Sequence, residues 1–310
     1  MPLRQYRTPR RAAMWAVRFC LDGSGMFDQP FRWNITNHTY LGSLVNGEKA
    51  EVYDGFFDQM LLCCSRVLAF AGDSDLTFVG RSPENLFDHL SGLLFKTTWF
   101  ERLGLLQFSM GYCKEREISE KYPNALDGLR AYLDRLNLRP SALAVRPRPV
   151  AFIDLVASGD TFNSLTMILY KWAREIQFDW NAVRRKIRLI GITEKTKASP
   201  RAWRWQQHAS WANLLDSGSI KNVSIPADLW RYLGNYQPKV TRSYTPARWG
   251  SPDAAKPDYS EEQLKALRLA YELFEYGQSK ERREELASIM VEEPAMRQSW
   301  FRALVKEVRA

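Results

Sequence analysis

The chain has 310 residues, 45% of them hydrophobic and 25% charged, enough to bury one large core or two modest ones. A disordered tail and a peptide-sized disulfide scaffold are excluded. The 44 Lys and Arg against 35 Asp and Glu leave a net charge of +9, which favours anionic partners, with phosphorylated small molecules and nucleic acid both open.

Cys20, Cys63, Cys64 and Cys113 form no CxxC pair and only three histidines accompany them, which argues against a structural zinc and for a reducing, cytoplasmic setting. The first residues hold Arg4, Arg7, Arg10, Arg11 and Arg18 without an acid, so an organellar transit peptide is the alternative. The apolar stretch there, AAMWAV, is too short for a secretory signal. No apolar run is long enough to cross a bilayer, so no membrane partner is expected.

From Gly23 to Gly55 the sequence is rich in Gly, Asn, Asp and aromatic residues, predicting short strands and turns in an irregular N-terminal flap. Residues 56–70 form a strongly apolar helix in which Cys63 and Cys64 act as small buried hydrophobes. AGDSD breaks it before a β-type run, LTFVG. A second helix, PENLFDHLSGLLF, follows Gly80-Arg81-Ser82 directly, with Pro83 suited to its first turn. His89 in that helix has no nucleophile placed around it and is read as structural. Glu115, Glu117 and Glu120 read as part of an exposed charged helix. Leu126, Leu129, Leu133 and Leu136 recur at three- and four-residue spacing, which predicts an amphipathic helix over 122–136.

The next segment, PVAFIDLVASGDTFNSLTMILYKWA, reads as a buried strand, a tight small-residue loop and a helix, and IRLIGIT at 187–193 as another strand. This alternation predicts an α/β fold with an open, largely parallel sheet and right-handed crossovers. Loops 80–83 and 154–161 then fall at strand C-terminal ends, where such sheets bind ligands.

Residues 182–204 contain Arg184, Arg185, Lys186, Arg188, Lys195, Lys197, Arg201 and Arg204 against Glu194 alone, a net of +7. This run reads either as a solvated face or as positive potential at the edge that carries the 154–161 loop. Residues 200–250 hold five of the eleven tryptophans and read mostly as loop with short helices. Trp203 and Trp205, beside Arg201 and Arg204, suit stacking on a nucleobase or on single-stranded nucleic acid, although core packing is the better account of any individual Trp. Pro246, Pro252 and Pro257 mark a linker, and the sequence from Ser260 onward is helical, broken near Gly277 and at Pro294. Residues 259–310 carry ten acids and nine bases, so the excess positive charge lies elsewhere. The division is therefore an arm and flap at 1–55, an α/β domain at 56–250, and a linker with a C-terminal helical appendage at 251–310.

The strand-to-helix junction in FIDLVASGDTFNS makes an anion cradle, because first-turn N–H groups and the positive end of the helix dipole face whatever fills the loop. An ordinary capped junction looks much the same. The run Ile153, Asp154, Leu155-Val156-Ala157, Ser158, Gly159, Asp160, Thr161 resembles the signature of type I phosphoribosyltransferases: a hydrophobic strand, two adjacent acids, three small or apolar positions, then Thr-Gly-x-Thr. Ile153 stands where that family has its first acid. The same residues also resemble the Asp-Thr-x-Gly-Ala-Gly-Asp-Thr-Phe loop of ribokinase-type sugar kinases, in which register Asp160 would be the base. The upstream Gly80-Arg81-Ser82 loop, able to receive a pyrophosphate through a guanidinium, favours the first resemblance, which covers about residues 56–195.

The resemblance implies a sheet of phosphoribosyltransferase type and transfer of a phosphoribosyl group between phosphoribosyl pyrophosphate (PRPP) or a ribonucleotide and a nucleobase, with Mg²⁺. It assigns Gly80, Arg81 and Ser82 to pyrophosphate, Asp154 to the ribose hydroxyls and the metal, and Ala157, Ser158, Gly159, Asp160 and Thr161 to the 5-phosphate. Arg81 and Asp154 would carry catalysis, and Trp203 and Trp205 the base. The missing acid supports a second reading, a catalytically reduced module that binds a nucleotide or RNA. The C-terminal helices would suit a protein contact or a homo-oligomer.

Overall fold

The computed structural model of the chain describes residues 32–310 except 37, 112, 114–116 and 197–203. Cys20, the N-terminal arginines, Glu115, Lys197, Arg201 and Trp203 lie outside the described residues.

Five strands, β1 (Asp75–Val79), β2 (Leu103–Leu106), β3 (Val150–Leu155), β4 (Ile187–Glu194) and β5 (Ile220–Ile225), form one all-parallel sheet in the order β2-β1-β3-β4-β5. Helices cover both faces, which is why β3 reads as a nearly unbroken apolar run. In chain order they are α1 (His38–Leu41), α2 (Phe56–Ala71), α3 (Glu84–Leu93), α4 (Ile118–Lys121), α5 (Ala125–Arg135), α6 (Pro140–Val145), α7 (Asp160–Glu175) and α8 (Trp180–Arg184). Then follow α9 (Ala227–Arg231), α10 (Glu261–Gln278), α11 (Lys280–Val291) and α12 (Ser299–Arg309).

Alternation along the strands sorts the core into two layers. Leu76, Phe78, Ala151, Ile153, Ile190 and Ile192 face α2, α3, α9 and the C-terminal helices. Val79, Val150, Phe152, Ile187 and Leu189 face α5, α6, α7 and α8.

The C-terminal helices are not an appendage. Leu269 and Leu273 of α10, Leu286 and Met290 of α11, and Phe301 and Leu304 of α12 share one core with α2 and α3. Where α3 and α10 cross, a Cβ on Gly92 would lie 2.0 Å from the Phe274 carbonyl oxygen, and one on Gly277 would lie 2.7 Å from that of His89. Backbones meet there because neither residue has a side chain. His89 is fully buried and its Nδ1 bonds the Leu273 carbonyl at 3.1 Å. Burial pulls its pKa down to about 4, so the ring is neutral and structural, as expected.

The described part of the N-terminal flap, 32–55, holds α1 and a short 3₁₀ turn at Gly42–Val45 and no strand. Side-chain packing replaces sheet pairing: Trp33, Ile35 and Leu41 cluster with Val240, Ala266, Leu267 and Ala270. Residues 200–250, expected to be mostly loop, contain the edge strand β5. Among the described residues no helix is long and apolar enough to cross a membrane.

The basic run divides between opposite ends of the sheet. Arg184, Arg185 and Lys186 precede the first residue of β4, whereas the 154–161 loop follows the last residue of β3, its parallel neighbour. About seven residue steps of strand, roughly 20 Å, separate the two edges. The expectation that these three residues approach the loop is therefore overturned by strand direction. Arg184 instead pairs with Asp216 at 3.0 Å, and Arg185 donates to the Asn181 carbonyl.

Candidate functional site

Strand order reverses between β1 and β3, which pair directly with Phe78 opposite Ile153. Their C-terminal ends are adjacent, and the crossovers leave them in different directions. A crevice at such a point is the usual ligand position in an open α/β sheet. Loops 80–83 and 154–159 form its two sides.

Gly80 turns the chain out of β1 with φ +74°, its N–H bonded to the Leu106 carbonyl at 2.8 Å. A Cβ there would sit 3.0 Å from the Phe108 carbonyl oxygen, so glycine suits both the conformation and the space. Pro83 then caps α3, one position earlier than the sequence reading placed it. Arg81 and Ser82 are half-buried, and Arg81 donates to the Thr241 carbonyl at 3.3 Å. Burial lowers its pKa, an effect opposed by Glu84, but a guanidinium keeps its charge at neutral pH.

Beneath this loop lies a polar cluster that the sequence did not announce. Glu84 accepts from Gln107 Nε2 at 2.8 Å and from the Thr241 hydroxyl, and Arg32 stands 3.6 Å from the same carboxylate oxygen. Arg32 also bonds Asp88 directly. Burial pushes Asp88 up to about 7, with Arg32 pulling it back. All five side chains are less than a tenth exposed.

On the other side, Asp154 closes β3 and is 6% exposed. Its Oδ1 accepts the Leu155 N–H at 2.7 Å, and the Thr161 hydroxyl bonds the same carboxyl. Burial raises the group to about 7, against those hydrogen bonds and Lys239. Thr161 is thus turned toward Asp154. Ala157 and Ser158 are exposed at the loop crest, where Ser158 donates to Asp160 Oδ2 at 2.6 Å. Asp160 is the first residue of α7, a position at which the helix dipole favours an acid.

Gly159 is explained by Trp205. A Cβ on Gly159 would lie 2.3 Å from indole Cε3, and one on Gly191 would lie 2.7 Å from Nε1. The indole is 1% exposed, tilts against Phe162, stacks on Trp211, and donates to Asn222 Oδ1 at 2.9 Å. Trp205 is therefore a core side chain and not a platform for a base. Its partner in that expectation, Trp203, is outside the described residues.

A third segment joins the two loops. A short π-helix, Tyr232–Tyr236, leads into Gln237, whose amide donates to the carbonyls of Arg81 at 3.1 Å, Ser82 at 2.7 Å and Leu233 at 2.8 Å. A Cβ on Gly234 would stand 3.1 Å from Leu155 Cδ2, at the end of β3. Lys239 is half-buried and donates to the Leu233 carbonyl at 2.7 Å. Burial lowers its pKa to about 7, with Glu84 and Asp154 pulling upward and Arg81 pushing down. Gln237, Lys239 and Thr241 recur at every second position of this segment. That spacing was the only sequence signal for this wall.

Among the described residues no three His, Cys, Asp or Glu side chains gather to hold a metal. Asp154 is a single carboxyl at the end of β3, already hydrogen-bonded by the Leu155 N–H and the Thr161 hydroxyl, and a Mg²⁺ held by one carboxylate would complete its shell on phosphate oxygens and water. No family model, curated protein or solved structure matches the chain. Its chemistry rests on its own residues: the Arg81 guanidinium, the Lys239 amine and the buried Glu84 and Asp154 carboxyls converge on an α/β crevice, beside the N-terminus of a long helix.

Proposed function

We propose that the β1/β3 crevice binds a phosphoribosyl ligand, PRPP or a ribonucleotide, and that the protein is a phosphoribosyltransferase-like enzyme. One observation carries this reading: the Arg81 loop and the Asp154–Thr161 loop, 73 positions apart in Arg81 and Asp154, end neighbouring parallel strands. In the reaction this implies, ribose C1 gains positive character as pyrophosphate leaves, so catalysis depends on positioning and on neutralising the leaving group. Arg81 would take the pyrophosphate, Asp154 a ribose hydroxyl, and the exposed Ala157–Ser158 crest with the α7 N-terminus the 5-phosphate. Mg²⁺ would enter on the ligand's own phosphate oxygens, and no step is assigned to it. Trp205 covers Gly159, so the phosphate seat is the Ala157–Ser158 side of the loop.

A catalytically reduced binding module is the second reading, and Ile153 favours it. That residue points to the opposite sheet face from Asp154, fully buried against α2 and α3, where a carboxyl would be desolvated. Calorimetric titration with PRPP, with and without Mg²⁺, and with a short RNA in parallel tests the site. Pyrophosphate release in the presence of nucleobases then separates enzyme from module. PRPP binding that Asp154→Asn weakens by about 1.5–3 kcal/mol is the expected result. RNA binding without PRPP binding would refute the assignment.

A further inference from the structure

We propose that residues 232–241 form a strap that is the third wall of this anion site, with the Lys239 ammonium as the charge a pyrophosphate group meets between Arg81 and Asp154. This rests on the anion-site reading above and adds to it a ligand that neither resembled loop supplies. The geometry is specific. Gln237 fastens the strap to the carbonyls of Arg81 and Ser82, Thr241 fastens it to Glu84, and Val240 anchors it in the cluster with Trp33 and α10. Gly234 lets its other end press on Leu155. Lys239 falls between these attachments and donates to the Leu233 carbonyl, within the strap itself. A π-turn at the strap's start is the kind of local irregularity that recurs at functional sites.

Three charged groups face Lys239: Arg81 from the β1 loop, Glu84 from α3 and Asp154 from the end of β3. Burial, reinforced by the nearby Arg81 guanidinium and opposed by Glu84 and Asp154, holds the amine partly neutral near pH 7. A bound anion reverses that balance and draws a proton onto the amine. Pyrophosphate carries a proton of its own at this pH and gives it up in a cationic site, so the signature of the amine is a difference. The wild type takes up more protons on binding, or releases fewer, than a variant without a titrating amine at 239, which packing alone would not produce.

The test is calorimetric titration of inorganic pyrophosphate into the full chain at about pH 7.5, in two buffers of different ionisation enthalpy, which counts protons. Lys239→Met is expected to weaken pyrophosphate by about tenfold or more and to take up fewer protons than the wild type. Lys239→Arg, always charged, should keep the affinity within about threefold yet show the same reduced uptake. Unchanged affinity and proton count in a folded Lys239→Met would overturn the inference; if that variant does not fold, wild-type proton uptake in Lys239→Arg overturns it instead. Pyrophosphate binding with no gain in affinity for PRPP would defeat the phosphoribosyl reading and leave the Lys239 wall standing. Failure of the wild type to bind pyrophosphate at all would defeat both.

Discussion

Gly159→Ala tests whether the phosphate-loop glycine is set by Trp205. The new Cβ would stand 2.3 Å from indole Cε3 and 2.7 Å from Cζ3, both well inside the 3.4 Å at which ordinary contact begins. The indole cannot easily withdraw, because Asn222 holds its Nε1 and Phe162 and Trp211 pack its faces. Overpacking of this kind costs about 1–3 kcal/mol. The φ of +88° adds about 1–2 kcal/mol for an L side chain, and the stiffer unfolded chain returns about 0.4–1 kcal/mol. A net loss of about 2–4 kcal/mol is expected in urea unfolding. Removing the indole first should leave only the backbone contribution, so Gly159→Ala in a Trp205→Ala background should cost about 1 kcal/mol and the cycle should show coupling of about 1–3 kcal/mol. A loss below about 0.5 kcal/mol, or equal losses in both backgrounds, would refute the packing argument.

Gly92→Ala should be among the most damaging single substitutions, since its Cβ meets the Phe274 carbonyl backbone of α10 at 2.0 Å; urea unfolding of the whole chain in one shifted transition is expected, and an unshifted midpoint would show that α10 is not docked there. Acid should destabilise the fold through His89. Its folded pKa of about 4 lies below the unfolded value of 6.5, so stability is intact above 6.5 and falls as pH drops toward 4, by at most roughly 3 kcal/mol. His89→Asn should remove that component of the pH profile, while Asp154 and Asp88, raised toward 7, act in the opposite direction and remain. Neutralising Arg184, Arg185 and Lys186 together should leave PRPP affinity within about threefold at moderate salt, because those charges sit more than a screening length from the crevice; a tenfold loss measured by calorimetry would place the site at the other edge.

What the sequence made legible was local. β3 and β4 are apolar runs bounded by turns, α5 and α7 show helical periodicity, and His89 could be read as structural because nothing reactive accompanied it. β5 was lost because IKNVSI, an edge strand, alternates with polar residues and borders a tryptophan-rich loop. β2 was lost because LGLL is only four residues long. The C-terminal helices read as an appendage because the close approach of Gly92 and Gly277 leaves no pattern along the chain. Arg184–Lys186 were assigned to the wrong edge because a charge run flanking a strand does not say which end it occupies until direction is fixed. Lys239 was missed for a related reason. Its neighbours Arg81, Glu84 and Asp154 are 85–158 positions away, and only the strand order brings them together.

The central claim is that the β1/β3 crevice is where this protein meets its ligand. Amide hydrogen exchange of the full chain, with and without PRPP and Mg²⁺, tests it most directly. The account predicts slowed exchange at Gly80–Glu84, Leu155–Thr161 and Gln237–Thr241, on three segments that are distant in sequence. Unchanged exchange at all three, or protection confined to the Arg184–Lys186 edge, would contradict it.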